Sequence, residues 1–260
     1  MTAPAQLLAQ RLAAAGLDWI VPDWPAPSWV SALMTTRNGG VSVGSAATLD
    51  HGPADLANIE PAVRAAIVEN RHRVEKFVPA APRYLHQVHG VRVVEFHSSR
   101  PASGMLPVAD AAVTRAANVV LAIRVADCLP VLFADDRGGV IGAAHAGWRG
   151  LAAGVLEATI DALGSAPESL LAWIGPGIGP RAFEVGRDVL DAFVRGDPGS
   201  EAHFAPLRED KWLADLPSLA CRRLKAQGVA RVSVHDGCTY SDATRFHSYR
   251  RDSAAGRMAA

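Results

Sequence analysis

Several residue types and patterns are scarce in this 260-residue chain. It has only three cysteines, and an odd number without regular spacing argues against the disulfide framework of a small secreted domain. Lysine plus arginine and aspartate plus glutamate number 26 each, so no overall field attracts nucleic acid or an anionic membrane. No run reaches the roughly 18 apolar residues that span a bilayer. We therefore expect a cytoplasmic protein with neither a nucleic-acid nor a membrane partner, in which any anion is held by a local group of arginines.

The chain also lacks internal repeats, low-complexity segments and a recognisable linker. Short β-rich runs follow one another in its middle and helical patterns are concentrated later, which is typical of an α+β fold. We therefore predict a single domain over residues 1–260, with mixed β-sheets flanked by helices and about 30 N-terminal residues as a peripheral extension. A chain of this length buries a substantial core.

Periodicity of the apolar residues places the individual elements. Helical spacing predicts helices over Ala5–Ala15, Pro61–Phe77, Leu151–Leu163, Arg187–Arg195 and Trp212–Gln227. β-rich runs predict strands over Trp29–Thr36, Arg83–Val88, Val91–His97, Asp110–Thr114, Val119–Val125, Val131–Ala134, Val140–Ala144, Leu171–Ile174 and Arg231–His235.

A thiol and two imidazoles are the candidate reactive groups. Cys128 lies inside an apolar run that reads as a buried strand, and His145 follows a second such run on a glycine-flanked turn. His89 precedes Gly90, where a ligand can approach closely. Zinc takes these donor types, and three protein ligands leave a fourth position for water or substrate. Two alternatives remain: a metal-free pair in which a histidine lowers the pKa of Cys128, and a plain buried thiol beside a hydrogen-bonded turn histidine.

Two arginines are candidates for binding an anion. Arg149 stands at the start of a predicted helix, where free N–H groups and the helix dipole favour phosphate or carboxylate, and Arg37 precedes a double glycine. The alternative for Arg149 is a surface side chain stacked on Trp148. Among the remaining histidines, His51 has no partner pattern and is expected at the surface, and His247 could line a pocket mouth near Cys238.

Six motifs occur in order along most of the chain: Thr35–Ser42, Gln87–Gly90, Ala126–Val131, His145–Gly150, Ile174–Pro176 and Ser248–Asp252. Together they resemble the laccase-domain family, which is also called the multicopper polyphenol oxidase-like or purine nucleoside phosphorylase family. The resemblance extends from about Thr35 to Met258.

This resemblance implies a zinc-binding catalytic cluster of His89, Cys128 and His145. We expect Arg37, Gln87 and Arg149 to bind substrate or phosphate. The resemblance implies a fold similar to bacterial toxin deamidases that use a Cys/His pair. We expect a monomer or a homodimer. It also implies phosphorolysis of adenosine, inosine, guanosine and methylthioadenosine to free base and ribose 1-phosphate, together with adenosine deamination. The alternatives are editing of a wrongly built UDP-muramyl-serine peptidoglycan precursor, copper-dependent polyphenol oxidation, and a non-enzymatic zinc-stabilised interaction domain.

The spacing of the histidines bears on these alternatives. Four-copper oxidases bind their cluster largely through His-x-His pairs, and the chain contains none. A single copper ion at the three-residue set remains an option, because copper outcompetes zinc for such ligands. The His-x-Glu and Pro-Cys-x-x-Cys pattern of zinc base deaminases is also missing, so deamination requires a differently built site. Gly177 stands where the family commonly has a cysteine, and the stretch 47–53 departs from its usual pattern.

Overall fold

The computed structural model describes residues 2–98 and 105–260. Its helices are α1 Ala3–Ala14, α2 Pro61–Glu75, α3 Trp148–Ala153, α4 Val155–Leu163, α5 Arg187–Val194 and α6 Leu216–Ala226. Its strands are β1 Val93–Glu95, β2 Ala111–Thr114, β3 Arg124–Val125, β4 Leu129–Asp135, β5 Ile141–Ala146, β6 Leu170–Ile174, β7 Glu184–Gly186, β8 Phe204–Arg208, β9 Lys211–Ala214, β10 Arg231–Val234 and β11 Met258–Ala259. No helix within these ranges has the length and apolar character needed to cross a membrane.

A six-stranded sheet in the order β1-β2-β5-β4-β6-β10 forms the centre of the molecule. The outer pairs β1/β2 and β6/β10 are parallel, while β2, β5, β4 and β6 pair antiparallel. Two smaller antiparallel sheets, β3/β11 and β7/β9/β8, lie beside it. The predicted single α+β domain with mixed sheets and flanking helices is confirmed, whereas the peripheral role of the first 30 or so residues stays a prediction.

The central strand β4 is buried along its whole length because both faces of the sheet are covered. Val131 and Phe133 face a core formed with α3 to α6. Leu132 faces a second core, which includes Trp24 and Met34 of the irregular N-terminal segment. Alternate residues of a strand point to opposite faces, so this single strand joins the two cores.

The second half of the chain corrects two helix predictions. Gly154 adopts a left-handed φ of 103° and divides the predicted helix Leu151–Leu163 into α3 and α4. The predicted helix Trp212–Gln227 begins only after Asp215, whose carboxylate accepts a hydrogen bond from the Ser218 N–H at 3.0 Å. The residues before this cap belong to β9, which pairs with β7 and β8.

Four strand predictions are also shortened or lost, and Val91–His97 keeps only the three residues of β1. The predicted strand Trp29–Thr36 is irregular, with only Met34 bridging to Ile20. Arg83–Val88 is likewise reduced to isolated bridges, and Val119–Val125 keeps only the two residues of β3 as a strand. These segments are apolar because they line a core, and their backbone groups are satisfied by scattered contacts.

Two histidines expected at the surface or at a pocket mouth are instead fully buried. His51 Nδ1 lies 3.0 Å from the Tyr84 hydroxyl. His247 Nε2 donates to the Leu49 carbonyl at 3.1 Å. Burial, followed by nearby arginine charges, lowers the pKa of His51 from 6.5 to about 3 and that of His247 to about 4.

We expect these two histidines to lower the free energy of unfolding as the pH falls. Both are neutral in the folded state and become protonated below pH 6.5 only in the unfolded chain, so their contribution is complete above pH 6.5 and is lost as pH falls towards 4. Below pH 6.5, protonation of each histidine in the unfolded chain lowers the free energy of unfolding by roughly 1 kcal/mol per pH unit. Urea unfolding between pH 7 and 4 should give a shallower pH slope for His51→Gln than for wild type, and the exposed His72→Gln is the control. Equal slopes for wild type and His51→Gln would contradict this.

Candidate active site

Antiparallel pairing brings the candidate residues together. In the β4/β5 register Leu129 pairs with Ala146, so the turn before β4 lies beside the end of β5. Cys128 occupies that turn and His145 lies near the end of β5. His89 comes from the turn that precedes β1, and the three potential ligand atoms all lie within 4.8 Å of one another. The predicted His/Cys/His set therefore forms one site.

The geometry of this cluster fits a metal ion. His89 Nε2 lies 3.7 Å from Cys128 Sγ. The His89 and His145 rings have centroids 4.8 Å apart at an interplanar angle of 64°. A tetrahedral zinc ion with ordinary bond lengths sets its nitrogen and sulfur ligands about 3.6 Å apart. A Cβ at Gly147 would lie 2.7 Å from both Cys128 Sγ and His89 Cδ2, so only glycine leaves room at this position.

The buried carboxylate of Asp110 orients both histidines. It accepts hydrogen bonds from the backbone N–H groups of Val88, His89 and Gly90, the shortest at 2.7 Å. It also lies 2.9 Å from His145 Nδ1. A carboxylate only accepts, so His145 carries its proton on Nδ1 and turns Nε2 towards the cluster. A carboxylate behind a ligating histidine is a common arrangement in metal sites.

His89 itself lies on a turn and not on a strand. Its φ of 62° is left-handed, a conformation that is uncommon for a residue other than glycine. The three N–H groups that point at Asp110 hold this turn in place. His86, three residues earlier, is exposed and forms a bridge with Val108. Of these two histidines only His89 therefore belongs to the cluster, and it does so from a turn that follows the predicted strand Arg83–Val88.

The cluster favours a thiolate beside a protonated imidazole when no metal is bound. Burial opposes ionisation of Cys128, but the charge of His145 and hydrogen bonds from His145 and His89 lower the pKa of the thiol to about 6. Burial likewise opposes protonation of His145, yet Cys128 and Asp110 raise its pKa to about 9. Metal binding replaces the proton of this pair, because a ligating imidazole is neutral.

The two arginines predicted to bind an anion differ in whether their guanidinium groups already have hydrogen-bond partners. Arg149 is exposed, stacks on Trp148 at 4.4 Å and has no hydrogen-bond or carboxylate partner among the described residues. Arg37 donates to the carbonyls of Ala47 and Ala243, and no hydrogen bond or ring contact within the described chain links it to the cluster. The helix at Arg149 is only six residues long, so we attribute any attraction for an anion to its guanidinium and not to a helix dipole.

Gln87 is engaged with the main chain at both ends of its amide. Its nitrogen donates to the Arg124 carbonyl at 2.8 Å, and its oxygen accepts from the Arg124 N–H at 2.9 Å. One N–H and one lone pair remain for a ligand. The pairing fixes the segment that leads into the His89 turn, two residues further on.

The family model described as multi-copper polyphenol oxidoreductase laccase matches residues 31–260. The chain belongs to this laccase-like family. A relative from Pseudomonas aeruginosa named purine nucleoside phosphorylase is 48% identical over 242 residues, covering 93% of this chain and 96% of the relative. Purine nucleoside phosphorylase YfiH of Escherichia coli is 44% identical, covering 92% and 96%.

Solved structures of this laccase-like family share the fold. A Neisseria meningitidis protein superposes with a TM-score of 0.86 at 44% identity, covering 93% of this chain and 97% of that protein. YlmD of Geobacillus stearothermophilus gives a TM-score of 0.82 at 31% identity, covering 93% and 94%. The likeness therefore spans nearly the whole length on both sides.

Asp110 is the site residue that sequence reasoning missed. It lies at the start of a predicted strand, and no neighbouring residue indicates its partners. These partners are the 88–90 turn, 20 to 22 residues away, and His145, 35 residues away. The available signal was an acidic residue directly before a short run of small and β-branched residues that reads as a buried strand, because a buried charge needs a partner.

Replacing Asp110 by asparagine should weaken metal binding without unfolding the protein. The amide keeps one accepting oxygen but places an NH₂ group against donors, so the His89 turn and His145 lose their fixed directions. We expect zinc affinity to fall roughly 10- to 100-fold in competition with a chromophoric chelator. Asp135→Asn is the matched control, because that carboxylate is also buried but lies at the far end of β4. Equal zinc affinity in Asp110→Asn and wild type would refute the assignment.

Proposed function

We propose that the chain is a purine nucleoside phosphorylase that converts adenosine, inosine, guanosine or methylthioadenosine and phosphate to free base and ribose 1-phosphate. The observation that carries the proposal is 48% identity over 242 residues with a protein that has this name. The cluster of His89, Cys128 and His145, with the free guanidinium of Arg149 four residues beyond His145, supplies suitable chemistry.

The reaction exchanges one bond at the ribose. An oxygen of phosphate forms a bond to C1′ while the bond from C1′ to the purine nitrogen breaks, and the electron pair leaves with the base, which takes up a proton. Positive side chains near the phosphate, Arg149 first and Arg37 second, hold the nucleophile against the sugar. Such fixed charges act most strongly where water is excluded.

The cluster is the second part of the proposed site. Asp110 keeps His145 in the tautomer whose Nε2 faces Cys128, and Gly147 leaves room beside the thiolate. We assign zinc to these ligands, with copper as the alternative, because two imidazoles and one thiolate suit both ions. When bound, the ion supplies a Lewis acid beside the substrate. Three protein ligands are typical of a catalytic site, whereas structural zinc usually has four.

Adenosine deamination is the second candidate activity, and the low pKa of Cys128 favours it. A thiolate near neutral pH is a good nucleophile towards an electron-poor ring carbon. In this reaction the thiolate bonds to C6 of adenine, and the amino group takes up a proton and leaves as ammonia. Water then adds at the same carbon and releases the thiolate, giving inosine. Both reactions are assigned to the same cluster but attack different carbons, so their products distinguish them.

Substituting Cys128 by alanine should abolish phosphorolysis and leave the fold intact. We expect kcat/KM to fall roughly 100-fold or more, because the change removes both a ligand and the thiolate. A nucleoside panel with and without phosphate, followed by chromatography of base, inosine and ribose 1-phosphate, gives the measurement. Cys221→Ala is the matched control, since that thiol lies on α6, is partly buried and is outside the cluster.

The same panel discriminates the other functions. Phosphate-independent inosine formation alone would indicate a deaminase, and dye oxidation that requires copper would indicate an oxidase. Release of serine from a muramyl precursor, with nucleosides untouched, would indicate precursor editing. A Cys128→Ala protein that is folded and phosphorolyses adenosine at the normal rate would overturn the proposal. Loss of the fold in that variant alone would favour a zinc-stabilised interaction domain.

Removing the Arg149 guanidinium should raise KM for phosphate more than KM for the nucleoside. A hydrogen bond to a charged group contributes about 1.5–3 kcal/mol, so Arg149→Ala should raise the phosphate KM roughly 10-fold or more. Arg187→Ala is the control, because Arg187, at the start of α5, also stacks on a tryptophan, at 5.0 Å, and that tryptophan belongs to β9. Steady-state kinetics at varied phosphate concentration provide the measurement. An unchanged phosphate KM would remove Arg149 from the site.

A further inference from the structure

Asp127, the residue directly before Cys128, has a left-handed backbone. Its φ is 91°, and only 9% of its surface is exposed. Residues other than glycine rarely adopt this conformation, which persists where surrounding contacts fix it. The backbone turn at Asp127 determines the direction in which the next side chain, that of Cys128, leaves the chain.

Both carboxylate oxygens of Asp127 bind a distant segment. Oδ1 accepts the hydroxyl of Thr239 at 2.6 Å, and Oδ2 accepts the backbone N–H of Arg250 at 2.7 Å. Thr239 is fully buried. The main-chain carbonyl of Asp127 accepts a third hydrogen bond, from the Ile178 N–H at 2.9 Å. Hydrogen bonds to an ionised carboxylate are short and strong, so this turn is held by several firm contacts.

From these contacts we infer that Asp127 is a positioning residue, which fixes the direction of the Cys128 thiolate relative to His89 and His145. The thiolate is confined on its other side by Gly147, where a Cβ would lie 2.7 Å from the sulfur. Asp127 thus orients Cys128, as Asp110 orients the two histidines. The inference rests on the proposed function only in taking Cys128 as a ligand in the site.

A purely structural role for Asp127, as an anchor for the segment that carries Thr239, is the competing explanation. Asp135 offers a close comparison at the opposite end of the same strand. It is 4% exposed and also accepts one hydroxyl and one backbone N–H, from Ser165 at 2.7 Å and Arg137 at 2.9 Å. If such a carboxylate only stabilises the fold, the two positions should respond alike to substitution.

The experiment uses cobalt(II) as the probe in the full-length chain. Thiolate coordination to cobalt gives a charge-transfer absorption band that reports on the metal–sulfur geometry. We expect Asp127→Asn to lower cobalt affinity about 10-fold and to shift or weaken this band, as substitutions behind metal ligands do. Asp135→Asn should leave both unchanged. Thr239→Val should act in the same direction as Asp127→Asn, and Thr239→Ser, which keeps the hydroxyl, should restore wild-type values.

The outcomes separate this inference from the proposed function. Wild-type cobalt affinity and spectrum in folded Asp127→Asn, or an equal loss in Asp135→Asn, would overturn the inference. Should Asp127→Asn fail to fold, the Thr239→Val and Thr239→Ser pair decides by the same criteria. If wild type phosphorolyses no nucleoside while the cobalt results hold, the proposed function fails and the positioning role stands.

Discussion

The buried carboxylate of Asp110 is the interaction on which the site depends. It receives three backbone N–H groups from the 88–90 turn and faces His145 Nδ1 at 2.9 Å. Its position follows from the β2/β5 register, in which Ala111 pairs with Ala144, so that Asp110 lies across from His145. Burial alone would raise the pKa of this carboxyl, but His145 and the backbone donors of the turn lower it below its ordinary value. One charge thus holds two histidines that are 56 residues apart in the sequence (145 minus 89).

The reactive groups lie on turns and strand ends, where the sheet itself cannot fix their directions. His89 and Asp127 both have left-handed φ values, and each turn is held by hydrogen bonds to a carboxylate. Gly147 then excludes any side chain from the space between the thiol and the imidazole. Regular strands bring the reactive groups near one another. Buried carboxylates and one glycine determine the relative orientation of these groups.

The sequence predicted the cluster because donor types and motif order are local properties of the chain. The helix at Pro61 and the core strands around Val131 were also predictable, since caps and apolar runs are continuous in sequence. Asp110 was missed because its partners are brought to it only by strand pairing. Strand β8 was missed for another reason: four of its five residues are exposed, so it carries no apolar alternation. His51 was misplaced at the surface because Tyr84, its partner, is 33 residues away.

The contacts of Asp127 also set an order of events during synthesis. Thr239 follows Asp127 by 112 residues, and Arg250 follows it by 123. At about 5–20 residues per second, a ribosome needs roughly 6–25 s to add that length. All three ligands of the cluster are therefore present in the nascent chain well before the segment that immobilises the thiol. During that interval the turn before Cys128 lacks the two hydrogen bonds that Thr239 and Arg250 donate to Asp127.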